Sequence, residues 1–379
     1  MVKVLVVLGT RPEAIKLCPL ILHLRTQPAC FDVKVCVTGQ HRSIMDGILA
    51  RFGVVPDYDL HVMMPNQPLG TLTARILDGI LPVLRDQRPD CVLVQGDTTT
   101  TFTSALAAFY ERIPVGHVEA GLRTGNLAHP FPEELNRVLT THLSILHFPP
   151  TERARRNLRA AGVPDHRIVV TGNTGIDALM YTRDKLERGE WRGCQWKGAR
   201  TWKRLILLTA HRRENFGTGL LAICNAAQRI AARGDVTIVY PMHPNPNVRA
   251  VVKDRLMNVP DVKLVEPLDY VEFIDVMRRA TLILTDSGGI QEEAPSLGVP
   301  VLVLRSTTER QEAVEAGTAQ LVGTDPDRIV AKVEFLLDAT RANTPGTFPR
   351  NPFGDGKACH RIGVALAQHF AESRPGRAS

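Results

Sequence analysis

The sequence predicts an α/β protein with two parallel sheets, because short apolar runs alternate with helix-length segments along most of its 379 residues. Ten of these runs are typical of buried strands, which is too many for one ordinary mononucleotide-binding sheet. A basic segment, residues 183–204, separates them into two sets of five. We therefore expect two Rossmann-like domains that face each other across a central cleft.

Both sets of predicted strands begin with a similar local pattern. Residues 4–8 lead into Gly9-Thr-Arg-Pro-Glu13, and residues 205–209 lead into Ala210-His-Arg-Arg-Glu214. A turn cluster at residues 351–356 precedes a last predicted helix. The domains are predicted at 1–171 and 172–356, followed by a C-terminal segment at 357–379. The predicted strands are 2–8, 33–38, 91–94, 114–118, 144–148, 205–209, 237–240, 262–265, 282–285 and 299–304.

The composition excludes several classes of protein. Hydrophobic residues make up 44% of the chain and charged residues 22%, which allows a sizeable core. No apolar run approaches the ~20 residues of a membrane-spanning helix, and charged residues interrupt the first apolar stretch, unlike a secretory signal. The absence of such segments predicts no membrane partner. The seven cysteines form no CxxC pair, so we expect buried free thiols and a cytoplasmic location.

The net charge of +7 raises the question of nucleic-acid binding. Basic residues are dispersed except in segment 183–204, where they alternate with Trp191, Trp196 and Trp202. Cations interleaved with aromatic residues could contact single-stranded nucleic acid. A solvated connecting segment explains the pattern better, so we predict no nucleic-acid partner.

Two junctions between a predicted strand and a helix have features of anion sites. Thr10 and Glu13 have the spacing of a helix capping box, which places Arg11 at the helix mouth, where free N–H groups favour an anion. An exposed arginine without a ligand is the alternative there. In Asp286-Ser-Gly-Gly289, two glycines let the backbone approach a phosphate closely. The alternative for that segment is a plain turn with a capping serine.

Three carboxylates, Asp97, Glu119 and Glu133, are candidates for chemistry, and a fourth, Glu293, is a candidate for binding a ribose. Asp97 and Glu119 each follow a predicted strand, at the edge where open α/β sheets bind ligands. Glu133 begins a predicted helix, and Glu293 lies about one turn into another, where it could accept hydrogen bonds from ribose hydroxyls. Capping or an exposed loop position is the alternative for Asp97, Glu119 and Glu133. Together with Arg11, these three indicate a polar cleft floor.

No sequence pattern predicts a metal or a cofactor. The chain contains neither GxGxxG nor GxxxxGK[ST], and its histidines lack the spacing of metal ligands. Asp57-Tyr-Asp59 and Asp325-Pro-Asp327 match the DxD pattern of sugar transferases, but both are interpreted as turn residues. His211 ends a strand and is a candidate general acid or diphosphate donor, with a structural role as the alternative.

Seven collinear blocks resemble the non-hydrolysing UDP-N-acetylglucosamine 2-epimerase family, over residues 3 to 365. The blocks are Gly9-Thr-Arg-Pro-Glu-Ala-Ile-Lys16, Gly96-Asp-Thr-Thr-Thr-Thr101, Gly116-His-Val-Glu-Ala-Gly-Leu-Arg123, Phe131-Pro-Glu-Glu134, His211-Arg-Arg-Glu-Asn215, Asp286-Ser-Gly-Gly-Ile-Gln-Glu-Glu293 and Thr308-Glu-Arg310. The resemblance implies a two-domain fold of the glycosyltransferase-B type, with the last helix crossing back to the first domain. It also implies a homodimer, no cofactor, and a product that feeds surface polysaccharide.

The resemblance assigns roles to matching positions. It places the UDP diphosphate on Ser287, Gly288 and Gly289, the ribose on Glu293 and the uracil by Phe273. Arg11, Lys16, His211 and Arg310 would surround the diphosphate and sugar, while Asp97, Glu119 and Glu133 would handle protons. A second UDP-N-acetylglucosamine activates many members, and Gln40, Gln67, Arg212 and His243 resemble that site. Ser43 departs from the glutamine of some regulated relatives.

Three other functions remain open from the sequence. A glycosyltransferase of the same fold would bind the UDP-sugar alike but would also need an acceptor pocket. A hydrolysing epimerase would release free N-acetylmannosamine. A non-catalytic UDP-sugar sensor would have no use for the three carboxylates.

Overall fold

The computed structural model describes residues 1–39, 42–64, 66–195, 204–341 and 348–372, with the side chains of 42–44 and 339–341 left aside. The chain divides into two compact units. The first comprises Met1–Ala178 and Phe353–Ser379, and the second comprises Leu179–Pro352.

The first unit contains a six-stranded parallel sheet in the order β3-β2-β1-β4-β5-β6. Most residues of its strands are buried, as expected where helices cover both faces of a parallel sheet. The elements are β1 (Val2–Leu8), α1 (Arg11–Arg25), β2 (Phe31–Val37), α2 (Arg42–Phe52), β3 (Tyr58–Asp59), α3 (Leu69–Gln87), β4 (Cys91–Gln95), α4 (Thr99–Tyr110), β5 (Val115–Val118), α5 (Glu133–Leu143), β6 (Leu146–Phe148), α6 (Glu152–Ala160) and α7 (Thr174–Glu187), of which α7 continues into the second unit.

The second unit contains another six-stranded parallel sheet, in the order β12-β11-β10-β7-β8-β9. A core of aliphatic side chains fills the space between this sheet and its helices. The elements are β7 (Arg204–Thr209), α8 (Thr218–Ala231), β8 (Val236–Pro241), α9 (Pro246–Leu256), β9 (Val262–Val265), α10 (Tyr270–Arg279), β10 (Leu282–Thr285), α11 (Gly288–Glu293), β11 (Val301–Val303), α12 (Gln311–Glu315), β12 (Ala319–Leu321) and α13 (Pro326–Arg341).

Both sheets have the strand order of a doubly wound fold. The order reverses between β1 and β4 in the first unit, and between β7 and β10 in the second. Loops that leave the carboxyl ends of such a strand pair part to opposite faces of the sheet, which makes this switch point the usual ligand site of open α/β sheets. The switch points therefore locate the candidate site residues in each unit.

The structure has twelve strands in these sheets where the sequence predicted ten. The two additional strands are β3 and β12, which lie at the sheet edges and have two and three residues. The predicted turn at Asp57-Tyr-Asp59 is therefore corrected, because Tyr58 and Asp59 pair with β2. Asp325-Pro-Asp327 opens α13, as the sequence predicted. Segments this short carry no periodicity that a sequence pattern can detect.

The last helix, α14 (Ala358–Glu372), packs on α1 of the first unit. The rings of His23 and His360 meet edge to face at 5.7 Å between centroids. The Asp177 carboxylate accepts hydrogen bonds from the N–H groups of Ala358 and Cys359, at 3.1 and 2.9 Å. Asp177 thus satisfies two free N–H groups at the start of α14 and attaches the C-terminal segment to α7.

Two features of the composition have a structural counterpart. All seven cysteines are unpaired, and only Cys30 is exposed. Among the described residues, no helix has both the length and the apolar character needed to cross a membrane.

Candidate active site

A buried carboxylate joins the two loops at the switch point of the first unit. Glu13 accepts hydrogen bonds from the N–H groups of Gly9 and Thr10, at 3.0 and 2.7 Å, which confirms its predicted place in the helix cap. Its other oxygen accepts from the hydroxyls of Thr98 and Thr101 beyond β4, at 2.7 and 3.1 Å. Burial raises the pKa of Glu13 despite these bonds. Glu13 therefore fixes the start of α1, where Arg11 lies, to the loop that carries Asp97.

Glu119 follows β5 and is held by three side chains. Its backbone has a φ of 62°, in the left-handed region that is unusual for a glutamate. Lys16 Nζ lies 2.6 Å from both carboxylate oxygens. Gln95 Nε2 donates to Oε2, and Asn173 Nδ2 donates to Oε1 at 3.0 Å. Glu119 is 9% exposed, so these contacts lie away from bulk water.

Asp97 follows β4 and forms an ion pair with Arg137 of α5. Burial raises the pKa of Asp97 and the negative charge of Glu119 adds to this, while Arg137 and Lys16 oppose it. A carboxyl group with a raised pKa holds its proton to a higher pH and is suited to give a proton to a reaction intermediate. The carboxylates predicted after β4 and β5 thus interact electrostatically.

Two other predicted residues of this unit stand apart from these contacts. Glu133 begins α5 as predicted and is half-buried, and its side chain forms no hydrogen bond or ion pair with the residues that the structure describes. Arg11 is exposed at the first position of α1, as expected for an anion site or for a solvated arginine. Lys16, predicted to contact the substrate, lies against Glu119.

A second buried carboxylate joins the loops at the switch point of the second unit. Asp286 is fully buried, and its Oδ2 accepts hydrogen bonds from the N–H groups of His211 and Arg212, both at 2.8 Å. The same oxygen accepts from Asn215 Nδ2 at 3.0 Å. Asp286 therefore sets the path of the loop after β7, on which His211 lies.

His211 lies between a carboxylate and a second imidazole. Its Nδ1 is 3.5 Å from Asp286 Oδ1, and its ring stacks on that of His243 at 5.0 Å between centroids. Burial lowers the pKa of His211, and the neighbouring His243 and Arg212 oppose the effect of Asp286. The neutral form is therefore favoured near neutral pH.

The predicted phosphate cradle begins α11. Ser287 occupies the N-cap position, but its side chain makes no capping hydrogen bond, so the hydroxyl has no such structural role. A Cβ atom at Gly288 would lie 3.0 Å from the guanidinium carbon of Arg310, whereas a Cβ at Gly289 would have nothing within 4 Å. Arg310 also binds Glu292 Oε1 through Nε at 2.8 Å. The structure thus brings Arg310 to the glycine turn.

A network of charges supports this turn. Arg305 is 6% exposed and binds Glu214 and Glu309, the latter at 2.9 Å. Burial alone would raise the pKa of Glu309, but hydrogen bonds from Arg305 and the charge of Arg212 lower it to about 2. Glu309 therefore stays ionised at neutral pH. The network connects the His211-Arg-Arg-Glu-Asn215 block to the Thr308-Glu-Arg310 block.

The remaining predicted residues occupy separate places. Phe273 is half-buried on α10, and Glu293 is half-buried at the end of α11. Of the residues that resemble a second ligand site, Gln67 belongs to the first unit, where its Nε2 lies 3.4 Å from Met63 Sδ. Arg212 and His243 belong to the second unit. Gln40 and the side chain of Ser43 lie outside the described residues.

Sequence analysis missed four residues that the fold brings to the candidate groups: Gln95, Arg137, Asn173 and Asp286. Only two of these had a local signal. Asp286 stands in the glycine-rich block, and Arg137 lies one helical turn after Glu133. Among the described residues, no group of three or more histidine, cysteine and acidic side chains could hold a metal ion.

The fold defines a class of protein. Two doubly wound parallel α/β units are the architecture of enzymes with a fold of the glycosyltransferase-B type, and solved UDP-N-acetylglucosamine 2-epimerases match this fold. The UDP-N-acetylglucosamine 2-epimerase family matches residues 23–367. The chain belongs to this family, whose members are isomerases.

Individual relatives agree with the family assignment. The UDP-N-acetylglucosamine 2-epimerase of Salmonella typhimurium is 54% identical over 372 residues, which cover 97% of this chain and 99% of the relative. A UDP-GlcNAc 2-epimerase of Neisseria meningitidis, solved with UDP-GlcNAc bound, is 47% identical and superposes with a TM-score of 0.86, covering 97% of this chain and 100% of the other. An enzyme of Methanocaldococcus jannaschii, solved with UDP-GlcNAc and UDP, is 37% identical with a TM-score of 0.75, covering 97% and 99%.

Proposed function

We propose that the protein interconverts UDP-N-acetylglucosamine and UDP-N-acetylmannosamine by eliminating UDP and adding it back, without a cofactor. The observation that carries the proposal is the pair Asp97 and Glu119, two carboxylates that follow neighbouring strands in a member of the epimerase family. Inversion at C2 requires a proton to leave one face of the sugar and another to arrive at the opposite face, so at least two proton-handling groups are needed.

The substrate explains why elimination is the reasonable route. The C2 hydrogen of UDP-N-acetylglucosamine is not next to a carbonyl group, so direct removal of the proton would leave a carbanion without stabilisation. When the C1–O bond breaks as the proton leaves, its electron pair departs with UDP and a C1–C2 double bond forms, giving 2-acetamidoglucal. UDP then adds to C1 and a proton adds to C2 from the other face.

In this proposal the first unit carries the proton transfers. The raised pKa of Asp97 supports a proton-donating role for that residue. Glu119 or Glu133 would then accept the C2 proton. Lys16 and Arg11 would approach the negative charge that develops on UDP, and preorganised cations of this kind stabilise a departing anion.

The second unit would hold UDP. The hydroxyl of Ser287 and the backbone N–H groups of Gly288 and Gly289 are proposed to bind the diphosphate beside Arg310, which already lies over Gly288. Glu293 is proposed to bind the ribose and Phe273 to lie by the uracil. His211, held by Asp286, would donate a hydrogen bond to the leaving diphosphate.

A single incubation separates this function from its alternatives. The protein is given UDP-N-acetylglucosamine alone in heavy water, with EDTA present, and the sugars are followed by NMR. We expect UDP-N-acetylmannosamine with deuterium at C2. Free N-acetylmannosamine would indicate a hydrolysing epimerase, and no reaction without an acceptor would favour a glycosyltransferase or a sensor. Retention of the original C2 hydrogen in an epimerised product would refute elimination.

Variants of the carboxylates test the assignment of the base. Asp97→Asn, Glu119→Gln and Glu133→Gln should each lower turnover by about 10²- to 10⁴-fold, the usual contribution of a positioned acid or base. The affinity for UDP should change much less, because these residues are proposed to act on C2 of the sugar and not to bind the nucleotide. Near-normal turnover in all three variants would assign the proton transfers to other residues.

We also propose a second, activating ligand site and a cellular role for the protein. Gln40, Gln67, Arg212 and His243 are proposed to bind a second, activating UDP-N-acetylglucosamine. Activation of this kind predicts a sigmoidal dependence of rate on substrate, and no conversion of UDP-N-acetylmannosamine alone. A hyperbolic curve with full reverse activity would contradict it. A cytoplasmic homodimer that supplies surface-polysaccharide precursors is the proposed cellular form.

A further inference from the structure

Two buried amide side chains hold the carboxylate of Glu119. Asn173 Nδ2 donates to Oε1 at 3.0 Å, and Gln95 Nε2 donates to Oε2. Both amides are only 3% exposed, so water does not compete for these hydrogen bonds. They reach Glu119 from different directions, since Gln95 ends β4 and Asn173 directly precedes α7. The two oxygens are therefore fixed independently.

The orientation of the Asn173 amide is determined by its other partner. Its Oδ1 accepts the N–H of Gly175 in the first turn of α7, at 2.9 Å. Since only the oxygen of an amide can accept, the NH₂ group must face Glu119. The backbone N–H of Asn173 donates to Phe353 O at 2.7 Å, which anchors it to the returning C-terminal segment. Asn173 is thus held rigidly before it contacts Glu119.

Lys16 alone could not keep Glu119 in place during the proposed reaction. Its ammonium group now contacts both oxygens of the carboxylate, at 2.6 Å each. A lysine that turns toward the departing UDP leaves these oxygens, and its flexible stem imposes little direction on a partner. The two amides remain and preserve the orientation of the carboxylate.

We propose that Asn173, assisted by Gln95, is a positioning residue that holds Glu119 for proton transfer at C2. The proposal rests on the proposed epimerase function. Asn173 touches neither sugar nor nucleotide in this assignment and acts only through Glu119. Asn173 also accepts a hydrogen bond from the N–H of Gly175 at the start of α7, so its positioning role must be separated from a structural one.

Asn173→Ser separates the two roles. Serine can still accept the N–H of Gly175, because it is a favourable residue at a helix start, but it is too short to reach Glu119. Loss of a hydrogen bond to a charged group predicts a fall in kcat of about 10- to 100-fold. The rate of deuterium incorporation at C2 should fall equally, while KM and the affinity for UDP stay near wild-type values. Asn173→Ala should lower kcat equally and lower thermal stability as well.

Asn157→Ser provides a matched control in the same unit. Asn157 Nδ2 donates at 2.9 Å, but its acceptor is the backbone oxygen of Gly121 and not a carboxylate. This variant should retain wild-type turnover. An Asn173→Ser protein that turns over like the wild type, or that loses kcat only in proportion to lost folded protein, overturns the role of Asn173 alone. Wild-type protein that leaves UDP-N-acetylglucosamine unchanged overturns the proposed function and this role with it.

Discussion

At the switch point of each unit a buried carboxylate joins the segments that follow two neighbouring strands. The carboxylate follows the earlier strand of the pair in the first unit and the later strand in the second. In the first unit, Glu13 lies after β1 and accepts from threonine hydroxyls after β4. In the second, Asp286 lies after β10 and accepts from backbone N–H groups after β7. Either arrangement joins two loops that leave the sheet in different directions, so each switch point is rigid before any ligand binds.

The two switch points differ in the functional side chains that lie near the joining carboxylate. The donors to Glu13 are uncharged groups, and Asp97 and Glu119 have their own cationic partners, Arg137 and Lys16. Asp286 instead accepts a hydrogen bond from the backbone of His211 and so holds the loop after β7 on which His211 lies. We infer that the first switch point is arranged for proton transfer and the second for binding an anion. The predictions below test this division, beginning with the largest effect.

The largest effect is expected at Glu119. Glu119→Gln keeps the size of the side chain but removes its basic oxygen, so turnover should fall by about 10²- to 10⁴-fold, or roughly 3–5 kcal/mol of activation free energy. Saturating UDP-N-acetylglucosamine and NMR detection give this rate, and calorimetry gives the affinity for UDP, which should hold. The control is Glu152→Gln on α6, an exposed side chain whose one ion pair among the described residues is with Arg155. Equal losses of UDP affinity and turnover would contradict the division.

Asp286→Ala should act on stability. The substitution leaves the N–H groups of His211 and Arg212 without their acceptor, while the Asn215 amide keeps Leu304 O at 3.2 Å, and each unsatisfied donor removed from water costs about 1–3 kcal/mol. The second unit should lose roughly 3 kcal/mol of unfolding free energy, measured by urea unfolding with the fluorescence of the three tryptophans, Trp191, Trp196 and Trp202, all of which lie within the sequence range of this unit. Asp286→Asn retains an accepting oxygen and should lose less. Unchanged stability in Asp286→Ala would show that the loop is held by other contacts.

The first unit should lose stability in acid because of two buried histidines. Burial lowers the pKa of His117 to about 4 and that of His147 to about 3. Since an unfolded histidine titrates near 6.5, the unfolded chain binds more protons below that pH. The free energy of unfolding should therefore fall between about pH 6.5 and 4, by roughly 3 kcal/mol for His117 alone.

Amide protection factors of β5 and β6, taken at several pH values, give this slope. His117→Asn removes one of the titrating groups and should flatten the slope, with no change expected from this cause above about pH 7. A slope equal to that of the wild type would place the acid sensitivity elsewhere.

The smallest effect compares two adjacent glycines in the second unit. The methyl group of Gly288→Ala would press on the guanidinium group of Arg310, so UDP affinity should fall by about tenfold, or roughly 1.4 kcal/mol. Gly289→Ala meets no protein atom within 4 Å, so any loss in that variant comes from contact with UDP itself. Calorimetric titration of UDP measures both. Wild-type affinity in both variants would place the nucleotide elsewhere.

Sequence alone determined the features that depend on near neighbours in the chain. The buried strands β1, β4, β7 and β10 are apolar runs of four to seven residues, so their position follows from composition. The cap at Glu13 follows from spacing along a single helix turn. Asp97 and Glu119 were predicted at the ligand edge because each lies just beyond the carboxyl end of a strand.

Only the tertiary structure decided which groups meet across the sheet. Asn173 reaches Glu119 over 54 residues of chain, and the loop at His211 reaches Asp286 over 75. No periodicity encodes such contacts, because they depend on strand order and on the direction in which each loop leaves the sheet. The same applies to the left-handed backbone of Glu119, which its surroundings impose against its local preference. The acidic residues could therefore be predicted from the sequence, whereas the residues that contact them are determined by the fold.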